Sequence, residues 1–261
     1  MMSGGTGFKK EYYLPFCEYL TEQGFAAITY DYRGTCGSAP ADMSRCNYDY
    51  WEYGTQDMPA VLNSLEARYP GTDLLIFGHS VGGQKAGLMP NFRKVKGLVS
   101  VASGAGYLPN MRPPYRYKTW FFFHIFTPLS IALTGYVKAK PFGIMENLPG
   151  RVTQQWADFC GVPEYFFKPK FYGKSFPQGH FHELTYPVHV FCVTDDPLAT
   201  QANVENFWKH VHSTSGITFG SLDPHRDGGG QAIDHAGFFR KKFRDSLWGK
   251  GVAKLEEMLI T

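Results

Sequence analysis

The sequence predicts an α/β fold built on a doubly wound, mostly parallel sheet, and two observations carry that prediction. Short apolar runs alternate with helical patterns along most of the chain, which is the order of parallel strands joined by crossover helices. One apolar run, 73–77, leads directly into Gly78-His79-Ser80-Val81-Gly82, and a helical pattern follows. A serine between two glycines at a strand-to-helix junction is typical of a sharp, strained turn that exposes the serine.

The other elements follow from apolar spacing and from glycine or proline stops. A helical pattern at 10–23 ends at Gly24, and a β-rich run at 25–32 ends before Arg33-Gly34. Apolar residues at helical spacing across 57–68 end before Pro70-Gly71. The same signals predict strands at 73–78, 95–103, 188–194 and 217–221, and helices at 201–211 and 252–259.

Composition limits the class of protein. The 261 residues are 43% hydrophobic and 19% charged, which is ordinary for a globular chain with a sizeable core. A net charge of +3, without a basic helix or zinc spacing, argues against a nucleic-acid partner. The five cysteines show no pairing pattern and the first residues lack a signal peptide, so we expect a cytoplasmic protein with reduced cysteines.

The segment 105–185 interrupts the alternation of strands and helices. It holds 19 of the 43 aromatic residues, and its nine basic and four acidic residues give it a net charge of +5. An insertion before a late strand lies over the carboxyl ends of the strands, where α/β proteins bind ligands. We therefore predict a core of 1–104 and 186–261 and an aromatic-rich helical lid at 105–185.

Residues 120–137 within this segment carry no formal charge, and their 18 positions are the lower limit for a membrane span. Pro128, Gly135 and several polar side chains argue against a span. The favoured interpretation is a buried pair of lid helices broken at Pro128, and contact with a membrane surface is the alternative.

Three residue types needed for nucleophilic catalysis occur in a suitable order. A serine hydroxyl needs a base to remove its proton, and the base needs a third group to orient it. Asp195 and Asp196 follow the predicted strand 188–194, and His235 follows the last predicted strand. The residues alone leave the choice between the two aspartates open.

The chain resembles predicted bacterial α/β-hydrolases of the serine-aminopeptidase and monoglyceride-lipase type. The resemblance rests on 24–34 with Gly37-Ser38, on 78–83 and 101–104, and on 191–200 and 235–240. It implies that Ser80 is the nucleophile, His235 the base and Asp196, directly before Pro197, the acid. It also implies an oxyanion hole made by the backbone N–H groups of Val81 and of Phe8 in the loop 5–8.

The resemblance implies a serine hydrolase that cleaves an ester, a thioester or a small amide without a cofactor, acting on a small acyl substrate. Two alternatives stay open, a non-catalytic binding protein of this fold and a membrane-surface lipid hydrolase.

The pairs His180/His182 and His210/His212 have metal-compatible spacing but no recognised zinc pattern, so no metal is expected. The α/β-hydrolases that the chain resembles have N-terminal strands before the loop that corresponds to 5–8. We expect the sheet of this chain to lack those strands. The oligomeric state has no sequence signal.

Overall fold

A parallel five-stranded sheet forms the centre of the computed structural model, which describes residues 1–260. The sheet strands are β1 (Met2–Ser3), β2 (Leu74–His79), β3 (Val95–Val101), β6 (Val188–Val193) and β7 (Ile217–Leu222). Their order across the sheet is β1-β2-β3-β6-β7, and every neighbouring pair in this sheet is parallel. All positions of β2, and nearly all of β3 and β6, are buried, as expected for strands covered on both faces.

Helices flank the sheet and connect its strands. Those associated with the sheet are α1 (Leu14–Glu22), α2 (Met58–Arg68), α3 (Val81–Gln84), α7 (Gln201–Trp208) and α8 (Gly249–Ile260). The 3₁₀ turn Lys85–Leu88 extends α3. Buried aromatic rings join α1 to the sheet and to the C-terminal part of the chain, since Phe16 packs against Phe77 at 4.7 Å and against Trp248 at 5.5 Å between ring centroids. These helices confirm the predicted α/β architecture.

The predicted strand at 25–32 is wrong as a regular strand. Only one isolated parallel bridge, between Met2 and Thr29, links this run to the sheet, together with a bond from Met2 N–H to the Ile28 carbonyl at 2.8 Å. Its neighbour β1 contributes only two residues, so too few backbone groups face the run to form a ladder.

The segment 105–185 forms a helical layer with its own small sheet. It contains α4 (Tyr115–Phe121), a π-helical stretch (Phe122–Phe126), α5 (Thr127–Thr134), α6 (Gly150–Cys160) and an antiparallel pair, β4 (Tyr136–Val137) with β5 (Leu148–Pro149). The helical path is continuous through 115–134, so Pro128 lies in its interior and has no N–H to donate to the preceding turn, which is the π-helical stretch. The expected break at Pro128 is therefore replaced by the π-helical stretch before it.

The expectation that 120–137 is buried is also wrong. Trp120, Phe121, Leu129 and Leu133 expose between 49% and 83% of their surface. Within residues 1–260, no helix combines the length and the apolar character that crossing a bilayer requires.

Candidate active site

Ser80 occupies a strained turn between β2 and α3. Its backbone angles, φ 51° and ψ −115°, lie outside the regions that non-glycine residues ordinarily adopt. The bond from Ser80 N–H to the Val101 carbonyl, at 2.9 Å, fixes the turn against β3. The surrounding structure thus imposes a conformation that costs of order 1–3 kcal/mol, as is common at functional sites.

The two glycines of the pentapeptide are required by close packing. A Cβ on Gly82 would lie 2.1 Å from the Ser3 carbonyl oxygen, and one on Gly78 would lie 2.5 Å from the Gly83 nitrogen. The hydroxyl of Ser103 donates to the Ser80 carbonyl at 2.7 Å. Ser103 therefore supports the turn through a backbone carbonyl.

Asp196 and His235 form a hydrogen-bonded pair. Asp196 Oδ2 lies 2.7 Å from His235 Nδ1, and the carboxylate is fully buried. Its other oxygen accepts the backbone N–H groups of Leu198 at 2.8 Å and Ala199 at 2.9 Å. These bonds hold the carboxylate in one orientation, so it can fix both the tautomer and the direction of the imidazole ring.

Asp195 has a different position, which sequence reasoning did not anticipate. Its two carboxylate oxygens accept the backbone N–H groups of Ile233, at 2.9 Å, and Asp234, at 3.1 Å. It therefore holds the loop that carries His235 rather than the imidazole itself. Asp234, at φ 57°, sits in a left-handed conformation that these bonds help to maintain.

Two further atoms of the candidate site have no hydrogen-bond partner in the described part of the chain. Among residues 1–260 neither the Ser80 hydroxyl nor His235 Nε2 makes a hydrogen bond. The His235 side chain is 14% exposed, and its ring centroid is 5.1 Å from that of His79, the residue directly before Ser80. Bonds between a nucleophile and its base are often loose before substrate binds, so this geometry is compatible with a triad.

The loop 5–8 differs from the sequence prediction at Phe8. The Phe8 N–H donates to the Gly5 carbonyl at 3.3 Å and so closes a turn, which counts against Phe8 as an oxyanion donor. The Thr6 N–H has no acceptor within residues 1–260, and the same holds for the N–H of Val81, the first residue of α3. The first amides of a helix lack partners inside it, so Val81 keeps its predicted availability.

An apolar groove of about 720 Å³ adjoins these loops. Its lining includes Tyr115, Phe122, Trp156, Met145 and Leu198. Leu198 also donates to the Asp196 carboxylate, and burial together with the charge of Asp196 raises the pKa of Tyr115. The groove therefore lies beside the acid of the candidate site. Its volume and lining are typical of a pocket for a small apolar ligand.

Lys85, five residues after Ser80, is fully buried in an aromatic cage. Its Nζ lies 3.9 Å from the ring centroid of Tyr50, 4.5 Å from that of Phe166 and 4.7 Å from that of Phe176, and makes no hydrogen bond. Cation–π contacts stabilise a desolvated ammonium by about 2 kcal/mol, less than the several kcal/mol that burial costs. Burial accordingly lowers the pKa of Lys85 well below its usual value.

Replacing this amine with an apolar side chain should stabilise the protein. We expect Lys85→Met to raise the free energy of unfolding at pH 7 by about 1–4 kcal/mol. The lysine pKa is lower in the folded than in the unfolded state. The loss of stability that Lys85 causes therefore disappears above the unfolded pKa of about 10.5 and grows as the pH falls. Thermal melts of both proteins between neutral and alkaline pH measure this, and a variant less stable than wild type at pH 7 would contradict it.

The histidine pairs have ordinary structural environments. His180 bonds Glu183 at 2.6 Å and stacks on Phe92, while His210 stacks on Phe167. No cluster of three or more metal-ligating side chains occurs within residues 1–260.

Comparison with known proteins identifies the family of the chain. Residues 2–151, more than half of the chain, match the protein-family model described as "Serine aminopeptidase, S33". A search of curated proteins found no match.

Solved structures with a similar fold span nearly the whole chain. A soluble variant of monoglyceride lipase from Saccharomyces cerevisiae, in complex with a substrate analogue, aligns with a TM-score of 0.69 at 16% identity, covering 98% of this chain and 85% of the lipase. The Est1E protein of Butyrivibrio proteoclasticus, with bound ferulic acid, aligns with a TM-score of 0.59 at 13% identity, covering 100% of this chain and 88% of Est1E. Paleococcus ferrophilus monoacylglycerol lipase aligns with a TM-score of 0.53 at 14% identity, covering 98% of this chain and 92% of the lipase. The family match, supported by this fold, establishes that the chain belongs to the serine aminopeptidase family of the α/β-hydrolase superfamily.

Proposed function

We propose that the protein is a serine hydrolase that cleaves an ester, a thioester or a small amide through an acyl-enzyme on Ser80. The observation that carries the proposal is the buried Asp196–His235 bond of 2.7 Å beside the strained turn that holds Ser80. A serine on such a turn, with an oriented imidazole next to it, is the arrangement that acyl transfer requires.

The proposed mechanism uses each group at a stated atom. His235 Nε2 accepts the hydroxyl proton as Ser80 Oγ bonds to the carbonyl carbon, and it then protonates the leaving oxygen, sulfur or nitrogen as that bond breaks. Water deprotonated by His235 next attacks the acyl-enzyme, and the bond between the acyl carbon and Ser80 Oγ breaks as Oγ takes the proton back from His235, which releases the carboxylic acid. The Val81 N–H and, in preference to Phe8, the Thr6 N–H stabilise the oxyanion, because the Phe8 N–H is already bonded.

The groove supports an acyl chain as the recognised part of the substrate. It is lined mainly by aromatic and aliphatic side chains of the segment 105–185, and Met145 packs within 3 Å of where a Gly7 Cβ would be, next to the loop of the proposed oxyanion hole. We therefore propose that 105–185 acts as a lid over the core of 1–104 and 186–261 and binds the acyl chain.

Hydrolysis of p-nitrophenyl esters of increasing chain length, with an aminoacyl p-nitroanilide alongside, tests this function. We expect ester turnover that rises with chain length until the groove is filled, and little cleavage of the anilide. A folded protein that hydrolyses none of these substrates above the background rate would favour the non-catalytic binding protein instead.

Exposed apolar residues favour a second candidate function, hydrolysis of lipids at a membrane surface. Tyr117, Phe121, Ile125, Leu129 and Leu133 recur at intervals of four along the helical run 115–134 and are 38% to 83% exposed. The sequence from 112 to 140 holds five basic residues and no acidic one. An apolar face flanked by basic side chains is typical of helices that lie in the interface of anionic membranes.

Cosedimentation with phosphatidylcholine vesicles, with and without phosphatidylglycerol, tests this candidate. We expect tighter binding to the anionic vesicles and about a 30-fold or greater loss in the double variant Leu129→Ser/Leu133→Ser, since each inserted leucine contributes about 1–2 kcal/mol. Ile260→Ser removes an equally exposed aliphatic side chain outside this segment and is the matched control. Equal binding of all three proteins would exclude the surface.

A further inference from the structure

His79 is completely buried next to the nucleophile, and the proposed mechanism assigns it no role. Its Nε2 lies 2.9 Å from the backbone carbonyl oxygen of His235, and its Nδ1 lies 2.7 Å from the hydroxyl of Tyr13. The Tyr13 oxygen in turn accepts the backbone N–H of Gly5 at 2.7 Å. These bonds connect the loop of the proposed oxyanion hole, the nucleophile strand and the loop of the base.

The protonation states in this chain of bonds follow from its acceptors. A carbonyl oxygen only accepts, so His79 Nε2 must carry a proton. Burial, and secondarily the neighbouring His235, hold the pKa of His79 well below its usual value, so the ring is neutral and Nδ1 is bare. Burial also raises the pKa of Tyr13, which keeps its hydroxyl as the donor to Nδ1. The direction is therefore Gly5 N–H to Tyr13, Tyr13 O–H to His79, and His79 N–H to the His235 carbonyl.

Packing keeps this chain of bonds in a single arrangement. Phe239 lies 5.0 Å from both the Tyr13 and the His79 ring centroids, and Phe8 lies 5.3 Å from that of His79. A Cβ on Gly5 would lie 2.9 Å from His79 Nδ1, and one on Gly4 would lie 2.7 Å from the Tyr13 ring. Both glycines thus allow the two rings to approach the loop, and water is excluded from the bonds.

We propose that His79 and Tyr13 are positioning residues that fix the base and the oxyanion loop relative to each other. His79 bonds the backbone carbonyl of His235 while Asp196 bonds its ring, so the imidazole is restrained through both its ring and its backbone. Tyr13 transmits the same restraint to Gly5, the residue before the unbonded Thr6 N–H. This proposal rests on the proposed function, because it explains what holds the base and the oxyanion loop of that site in their relative positions.

Three substitutions separate hydrogen bonding from space filling. Tyr13→Phe removes one hydroxyl, His79→Asn shortens the side chain so that it no longer reaches the His235 carbonyl, and His79→Gln keeps an N–H near the position of Nε2. Tyr53→Phe is the matched control, because Tyr53 is also fully buried but its hydroxyl has no partner. Thermal melts of each variant monitor folding.

We expect Tyr13→Phe and His79→Asn to lower kcat on a p-nitrophenyl ester about tenfold or more with KM within about twofold of wild type. His79→Gln should keep kcat within about fivefold of wild type, and Tyr53→Phe should leave it unchanged. Wild-type kcat in Tyr13→Phe and His79→Asn would overturn the proposal. Equal impairment of His79→Asn and His79→Gln would also overturn it, since space filling rather than the N–H would then decide the rate.

Nitrogen-15 spectra of labelled histidine give a readout that does not depend on turnover. The proposal requires the Nε2–H tautomer of His79 in the wild type, and a changed Nδ1 chemical shift of His79 in Tyr13→Phe, because that nitrogen loses its hydrogen-bond donor. The Nδ1–H tautomer, or a charged ring at neutral pH, would overturn the proposal even in an active protein. An inactive wild type with the expected tautomer would instead refute the proposed function and leave the bonding arrangement established.

Discussion

Ser80→Ala is expected to lower kcat on any substrate of the protein by about a factor of 10⁶, the largest effect of any single substitution. The change removes the atom that we propose forms the acyl bond. Ser103, the nearest alternative, uses its hydroxyl to donate to the Ser80 carbonyl at 2.7 Å. Residual hydrolysis would come from binding and oxyanion stabilisation alone.

Ser103→Ala is the control for this substitution, measured by steady-state ester hydrolysis. It deletes a buried hydroxyl next to the same turn, so it should lower stability by about 1 kcal/mol and kcat by less than tenfold. A Ser80→Ala protein with more than a hundredth of wild-type activity would contradict the assignment of the nucleophile. A Ser103→Ala protein as inactive as Ser80→Ala would show that the turn, rather than the Ser80 hydroxyl, is what activity requires.

Asp196→Asn should lower kcat by about 10³- to 10⁴-fold. An asparagine at this buried position presents either an amide oxygen or an NH₂ group to His235 Nδ1, and the NH₂ group stabilises the wrong imidazole tautomer. The amide also cannot stabilise the imidazolium that forms as the serine loses its proton. The 2.7 Å bond and the two backbone donors to the same carboxylate make this the aspartate coupled to the base.

Asp195→Asn is the matched comparison, since it makes the same chemical change one residue earlier. One of its two bonds to the loop amides of Ile233 and Asp234 should be lost, which costs about 1–3 kcal/mol of loop stability and about tenfold in kcat. Steady-state hydrolysis of one ester by both variants decides between them. A larger loss in Asp195→Asn than in Asp196→Asn would reverse the assignment and leave the fold unchanged.

The order of strands and helices was predictable because each element has a local signal. Parallel strands buried on both faces read as apolar runs, and the run before Gly78 is fully buried as β2. Glycine spacing around Ser80 was informative for a physical reason, since a Cβ at Gly78 or Gly82 would collide with backbone atoms. The run 25–32 was mispredicted because a strand also needs a partner, which periodicity along one chain does not reveal.

Other parts of the site depend on contacts between distant residues. The roles of Asp195 and Asp196 differ through the direction in which each carboxylate points, which adjacent identical residues cannot indicate. Tyr13 and His79 are 66 residues apart, and only the folded chain brings the hydroxyl to the ring. The Phe8 amide was expected to be free, but a turn to the Gly5 carbonyl uses it.

Covalent labelling with a fluorophosphonate probe tests the central claim most directly. The probe reports an activated serine without requiring knowledge of the natural substrate, because phosphorus takes the place of the carbonyl carbon. We predict stoichiometric labelling of the wild-type protein, with the added mass located on Ser80 by peptide mass spectrometry, slow labelling of His235→Ala and none of Ser80→Ala. A folded wild-type protein that resists the probe, or that carries it on any residue other than Ser80, would contradict the account.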